Sequence, residues 1–252
     1  RNGVVLATNY SAYTLEITPA RAGVLDDTIN ALSKVVEIQT RDRRRFKRLM
    51  EESRNFESLP IRTRLTDEEV ARFAAQRYRF PGVDIKARLF RNYPLGDVAS
   101  HAIGYIGRIN QAEKSRIQDS EDEANYRGTE HIGKLGIEQS YEAALHGTTG
   151  VEQMETSAGG RAVRKLSSRA ATPGDSVMLS IDIKLQKLIE DLYGTRRGAL
   201  VAIDPRNGEI LALVSKPTFD PNLFVEGIDA ENWAALNESI DKPLLNRALR
   251  GT

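Results

Sequence analysis

The sequence has no cysteine among its 252 residues, which removes disulfide scaffolds, thiolate zinc sites and cysteine nucleophiles. That absence fits a reducing or an oxidising compartment equally. Nor is there an excess of one charge: 36 Lys and Arg face 35 Asp and Glu, a net of +1, so no global field favours nucleic acid or an anionic membrane. No apolar run approaches the roughly 20 residues that span a bilayer, and internal repeats and low-complexity segments are missing too. The opening residues Arg1-Asn2-Gly3 are neither an initiator methionine nor a signal peptide, so the chain reads as an excised soluble piece. What it does contain is 40% apolar residues, enough for a core in one large domain or two smaller ones.

Periodicity gives the organisation. The apolar run Val4 to Ala7 and the alternating Tyr13 to Thr18 predict two strands joined by a polar turn, the second half-buried. Ile29, Leu32, Val35 and Val36 predict a helix over 26–36, with Asp26 and Asp27 near its positive end. Residues 40–54 read as a basic helix with a thin apolar stripe of Phe46, Leu49 and Met50 and a solvated face carrying Arg41, Arg43, Arg44, Arg45, Lys47 and Arg48. Thr66-Asp-Glu-Glu69 has the form of a capping box and predicts a helix over 66–79, broken by Phe80-Pro81-Gly82 before a strand over 83–90. Leu135 to Leu145 predicts a helix closed by Gly147, and 149–168 a polar hairpin. Turn residues at Thr172-Pro173-Gly174-Asp175 mark a domain boundary before the run Val177 to Ile181. A helix over 183–193 is expected to bury Leu185, Leu188, Ile189 and Leu192. Ala199–Ile203 and Ile210–Val214 then form a hairpin around Asn207-Gly208. Such an apolar hairpin belongs in a covered sheet, and two strands are too few for a stable one, so the second domain reads as incomplete.

Several motifs carry possible chemistry. Gly128 to Leu135 nearly matches a phosphate-binding loop, but Leu135 lacks the hydroxyl that magnesium requires, and the glycines are expected to start a helix instead. Ser239-Ile-Asp-Lys242 matches the Ser-x-x-Lys spacing that puts an amine one turn from a nucleophilic hydroxyl. Pro243 pushes Lys242 out of helical geometry, however, so the pair is expected on a surface loop, as is the Ser-x-Asn match Ser53-Arg-Asn55, and no Lys-Thr-Gly follows. His101, His131 and His146 lack local zinc spacing, and His101 is expected to tie a turn to neighbouring backbone. The helix with Arg43 to Arg48 has no interleaved stacking aromatics, so no nucleic-acid partner is expected.

The order of the blocks resembles the class B penicillin-binding proteins, most closely their elongation-specific branch. Arg1-Asn2-Gly3 to Ala7 resembles the end of the family's entry motif, and Arg79-Phe80-Pro81-Gly82-Val83 a later block. Further matches are Arg91-Asn-Tyr93-Pro94-Leu-Gly96 with His101, Gly104-Tyr105-Ile-Gly107, and Gly133-Lys134-Leu-Gly136-Ile137-Glu138-Gln-Ser-Tyr141-Glu142. Asp182 to Gln186, Ala202 to Gly208 and Phe219-Asp220-Pro221-Asn222-Leu223-Phe224 extend the resemblance over nearly the whole chain.

This resemblance implies an α+β fold: an elongated, multi-segment, non-catalytic pedestal over residues 1–171, then the incomplete start of a transpeptidase domain over 172–252. In the family, Asn-Arg-Ala shortly precedes the nucleophilic serine, and here Asn246-Arg247-Ala248 stands at the end of the sequence. The resemblance therefore assigns no catalytic, cofactor-binding or metal-ligating residue to this chain and argues against Ser239. It implies a parent that is a periplasmic, inner-membrane-anchored serine D,D-transpeptidase acting on the D-Ala-D-Ala of peptidoglycan stem peptides, acylated by beta-lactams, with these 252 residues inactive alone. Its pedestal would engage a glycan polymerase and a rod-shape scaffold protein, without any cofactor. A septal class B transpeptidase and a non-catalytic cell-wall scaffold with a pedestal-like fold are the alternatives.

Overall fold

The computed structural model describes residues 1–53, 57–156 and 162–251, and the chain divides into two compact units, residues 9–90 and residues 1–8 with 91–252.

In the unit 9–90, β1 (Thr8–Ile17) leads through α1 (Leu25–Leu32) and α2 (Thr40–Glu52) to β2 (Leu59–Leu65), then α3 (Asp67–Gln76) and β3 (Val83–Asn92). The central strand of its sheet is β1, flanked by β2 and β3. The expected pair of strands is thus one strand, and Val4 to Ala7 precede it without regular structure. Polarity alone does not break a ladder, and 8–12 hold neither Gly nor Pro. The end of β1 is also not half-buried: Thr14, Leu15, Glu16 and Ile17 are all 0% exposed. Leu15 and Ile17 enter a core with Phe46, Ile61 and Phe73. On the opposite face Glu16 accepts from Ser58 Oγ at 2.6 Å and Arg88 Nε at 2.5 Å and pairs with Lys86 Nζ at 3.0 Å. Long side chains on the alternating positions of β3 therefore cover the second face.

Helix α1 stops at Leu32, earlier than its apolar spacing suggests, and Val35 and Val36 reach the same core from a turn that bonds back to the Leu32 carbonyl. The capping box forms as expected: Thr66 Oγ accepts from Glu69 N (3.2 Å), and Glu69 Oε2 accepts from Thr66 N (3.0 Å). On α2, Phe46 and Leu49 are buried. Its basic face is divided, because Arg43 donates to Asn30 Oδ1 and Ser33 Oγ and Arg45 to Asp42 and the Ile61 carbonyl, whereas Arg41, Arg44, Lys47 and Arg48 are exposed.

The other unit runs through α4 (Ser100–Ile103), β4 (Ile106–Arg108), α5 (Gln111–Gln118), α6 (Glu123–Tyr126), β5 (His131–Gly133), α7 (Gly136–Ser140) and α8 (Glu142–His146). It continues with β6 (Val151–Thr156), β7 (Ala162–Arg169), α9 (Ile183–Tyr193), β8 (Gly198–Ile203), β9 (Ile210–Lys216), α10 (Asn222–Val225), α11 (Ala230–Asn237) and α12 (Arg247–Arg250). Strands β4 and β5, β6 and β7, and β8 and β9 form antiparallel pairs. The helix expected from Leu135 is two short helices meeting at Tyr141, where φ is −111°. Helix α9 has its expected ends, set by Asp182, whose Oδ1 accepts from the Lys184 and Leu185 amides. Its buried face is not the expected one: Leu188 and Leu192 are 56% and 66% exposed, while Gln186 and Glu190 are buried. The hairpin β8–β9 likewise leaves Leu200, Val201 and Ile203 exposed. No helix among the described residues is long and apolar enough to cross a membrane.

Candidate functional site: a buried polar junction

The blocks at 91–107, 133–138, 182–186 and 219–224 meet in one place within the unit of residues 1–8 and 91–252, whereas the block at 79–83 lies in the other unit. At its centre is Tyr93, 2% exposed. Its hydroxyl donates to Glu138 Oε1 (3.0 Å) and accepts from Ile106 N (3.0 Å), and Arg91 Nε donates to the same Glu138 oxygen at 2.8 Å. Burial first and the Glu138 carboxylate second raise the Tyr93 pKa, so the phenol stays protonated. Glu138 reaches this point because Gly136, at φ +60°, turns the chain where any added Cβ would lie 2.6 Å from the Ala102 carbonyl oxygen.

Two side-chain amides act as strand partners to single residues. Asn222 Nδ2 donates to the Tyr93 carbonyl and Asn222 Oδ1 accepts from Tyr93 N, both at 3.0 Å. Gln186, 0% exposed, donates from Nε2 to the Leu213 carbonyl and accepts from Leu213 N, both at 2.9 Å. Gln186 Nε2 also donates to Glu190 Oε1 (2.7 Å), which accepts from Ala99 N as well (3.0 Å). Ala99 has φ +58°, a left-handed conformation that costs a non-glycine residue about 1 kcal/mol or more and turns its amide to this carboxylate. Burial raises the Glu190 pKa most, against the two hydrogen bonds. Aromatic contacts close the junction: Tyr105 stacks on Phe224 (centroids 4.0 Å), and the His101 and Phe219 rings meet edge to face at 5.1 Å.

The junction also holds the end of the chain. His101 Nε2 lies 2.8 Å from the Pro243 carbonyl oxygen, and the His101 carbonyl accepts from Asn246 Nδ2 at 3.3 Å. Ser215 Oγ donates to the Leu245 carbonyl (3.1 Å) and accepts from Arg247 N (2.9 Å). The Arg247 guanidinium donates to the carbonyls of Asp241 (2.6 Å) and Lys242 (3.2 Å). Asn246 Oδ1 caps α12, accepting from the Ala248 and Leu249 amides.

The other singled-out residues lie elsewhere. Ser239 and Lys242 are on a tight turn beyond α11: Ser239 Oγ accepts from Asp241 N, Lys242 sits at φ +42°, and its side chain is exposed. In the Ser-x-Asn match, Arg54 and Asn55 fall outside the described residues. The glycines near 128–135 do not start a helix as expected: Gly133 ends β5, Gly128 lies in a turn, and Gly136 opens α7. Lys134 is held by Glu113. His101, His131 and His146 fall on α4, β5 and α8, and no three His, Cys, Asp or Glu side chains among the described residues converge on a metal position. The bonds of His101 reach residues 243 and 246, remote in sequence, where local reading pointed to a neighbouring turn. Sequence reading missed Gln186, Asn222 and Ser215 as individual residues; the first two stood inside quoted blocks, and Ser215 carried no signal.

The dimerisation domain of penicillin-binding proteins matches residues 1–179, and their transpeptidase domain matches residues 198–252. The chain belongs to the penicillin-binding protein family, and its α+β fold joins the dimerisation region to the beginning of a transpeptidase domain. Among named relatives, it is 43% identical over 251 residues to the peptidoglycan D,D-transpeptidase MrdA of Escherichia coli K12, covering all of this chain and 40% of that protein. It is similar to the crystal structure of Pseudomonas aeruginosa PBP2 in complex with WCK 5153 (44% identity, TM-score 0.54, 65% of this chain and 32% of that one). Its fold also matches PBP2 in a complex with MreC from Helicobacter pylori (24% identity, TM-score 0.72, 98% of this chain and 45% of that one). The chain thus spans about two fifths of the length of the E. coli relative.

Proposed function

We propose that the chain is the pedestal, residues 1–171, with the opening portion, residues 172–252, of a periplasmic serine D,D-transpeptidase that is anchored in the bacterial inner membrane and cross-links peptidoglycan during cell elongation. In the longer protein a serine attacks the carbonyl of the penultimate D-Ala and expels the terminal D-Ala. The acyl group then passes to an amine of another stem, and beta-lactams acylate the same serine. The residues described above position the start of that domain. The observation that carries the reading is the set of side-chain amide bonds from Gln186, Asn222 and Asn246 to the backbone of Leu213, Tyr93 and His101. A surface that need only be rigid fits such interlocking, because fixed geometry in a reacting centre depends on the elements that hold it.

The test is covalent labelling with a fluorescent penicillin. The 252 residues alone are expected to give no specific band and the longer protein one label per chain; stoichiometric labelling of the short chain, at Ser239 or elsewhere, defeats the reading. The pedestal is further proposed to bind a rod-shape scaffold protein and a glycan polymerase, a reading supported for the first by the H. pylori complex with MreC. On α2 a clean probe of such contacts reverses Arg44, Lys47 and Arg48, which are exposed, and spares Arg43 and Arg45, whose bonds are internal. Unchanged affinity of the triple variant for MreC would remove this face as the contact.

A further inference from the structure

We infer that His101 is a positioning residue for the transpeptidase reaction: its ring N–H, donated to the Pro243 carbonyl, and its own carbonyl, accepting from Asn246, fix the segment that leads toward the nucleophilic serine. The inference rests on the reading just given, together with the family resemblance, which puts the nucleophilic serine shortly after Asn246-Arg247-Ala248.

A carbonyl oxygen only accepts, so the 2.8 Å contact with Pro243 requires the proton on Nε2. Nδ1 is then the unprotonated nitrogen, and it is buried without a hydrogen-bond partner. All of the polar work of this ring is therefore done by one donor. That donor lands on a segment with no helix or strand of its own: Lys242 is left-handed at φ +42°, and 241–246 form turns and irregular backbone before the single turn of α12. Among the described residues, four anchors restrain it: the two bonds of residue 101, the Ser215 hydroxyl between Leu245 and Arg247, the Arg247 guanidinium on the carbonyls of 241 and 242, and the ion pair of Arg197 with Asp241 at 2.7 Å. The last three come from the hairpin, from the segment itself and from the link between α9 and β8. The bonds of residue 101 connect it to α4, whose own position is fixed by Ala99 on Glu190. Asn246, bonded to the His101 carbonyl, is also the residue that caps α12, so displacement at 101 transmits to the helix start.

A packing role and a positioning role predict different variants. His101→Phe keeps an aromatic edge for Phe219 and removes the donor; His101→Gln loses the ring but offers an amide N–H with the reach of Nε2. Time-resolved acylation of the longer protein by a fluorescent penicillin separates them. The rate constant of acylation is expected to fall about tenfold in His101→Phe, the scale of a lost bond to a buried carbonyl, with pre-covalent binding changed less than about twofold, and His101→Gln should restore the rate to within about twofold of wild type. Equal rates in His101→Phe and wild type, or a slower His101→Gln than His101→Phe, overturn the proposal. In the 252-residue chain, amide exchange supplies an independent arm. His101→Phe is expected to lose protection at Leu249 and Arg250 while Leu213 keeps its own, and unchanged protection at both overturns the proposal. If His101→Phe does not fold, His101→Asn, whose amide stops a bond short, carries the same expectations. A wild-type longer protein that does not label at all refutes the transpeptidase reading instead, and the exchange arm still decides whether residue 101 fixes the segment.

Discussion

The Tyr93 hydroxyl joins two segments with one atom, donating to Glu138 and accepting from the Ile106 amide. Tyr93→Phe leaves both without that partner and is expected to destabilise the chain by about 1–3 kcal/mol in urea unfolding; a loss under about 0.5 kcal/mol would mean that water replaces it. His101 makes stability depend on pH. Burial first, then the nearby Arg247 charge, hold its pKa at about 4, against the Pro243 bond and below the ordinary 6.5. The unfolded chain takes up this proton as pH falls through 6.5 and the folded chain does not, so stability drops toward pH 4, by on the order of 3 kcal/mol at most. Glu190, raised chiefly by burial, acts in the opposite direction, so the histidine is isolated by difference: between pH 6.5 and 4, His101→Gln should lose less stability than wild type. Equal slopes would place the ring in a wetter site than its burial indicates.

Among the elements, α9 is where sequence and structure part. Its ends were legible because Asp182 is a strong cap and Gly194 a strong stop. The buried face was not, since apolar spacing points to Leu188 and Leu192 while the junction selects Gln186 and Glu190, which satisfy the Leu213 and Ala99 backbones. In this chain, Leu188→Gln with Leu192→Gln is therefore expected to shift unfolding by no more than about 0.5 kcal/mol each. Gln186→Leu, by contrast, strands the backbone groups of Leu213 and should cost several times as much. The reverse order would restore the apolar stripe as the packed face. The capping box at Thr66 and the hairpin at Gly208 were readable because each is local. The continuous β1 was not, because the polar residues 8–12 mimic a turn although they hold neither Gly nor Pro, and the split at Tyr141 was not, because it leaves the apolar spacing of 135–145 unbroken.

At the scale of the molecule, sequence blocks scattered from Arg91 to Ala248 become one interlocked body. The family and its mixed fold could be read from those blocks, whose order survives in a single sequence. Their mutual contacts could not, because side-chain amides pairing with backbone more than a hundred residues away, as Asn222 does with Tyr93, leave no periodic trace. If this body holds the start of the catalytic domain, the segments on either side of the boundary proposed at 172 must open together. Native-state amide exchange measures that directly on Tyr93, Ala99, Leu213 and Arg247, whose N–H groups are bonded to Asn222, Glu190, Gln186 and Ser215. The expected result is one opening free energy common to all four. Exchange at Leu213 and Arg247 that runs freely while Tyr93 and Ala99 stay protected would contradict it.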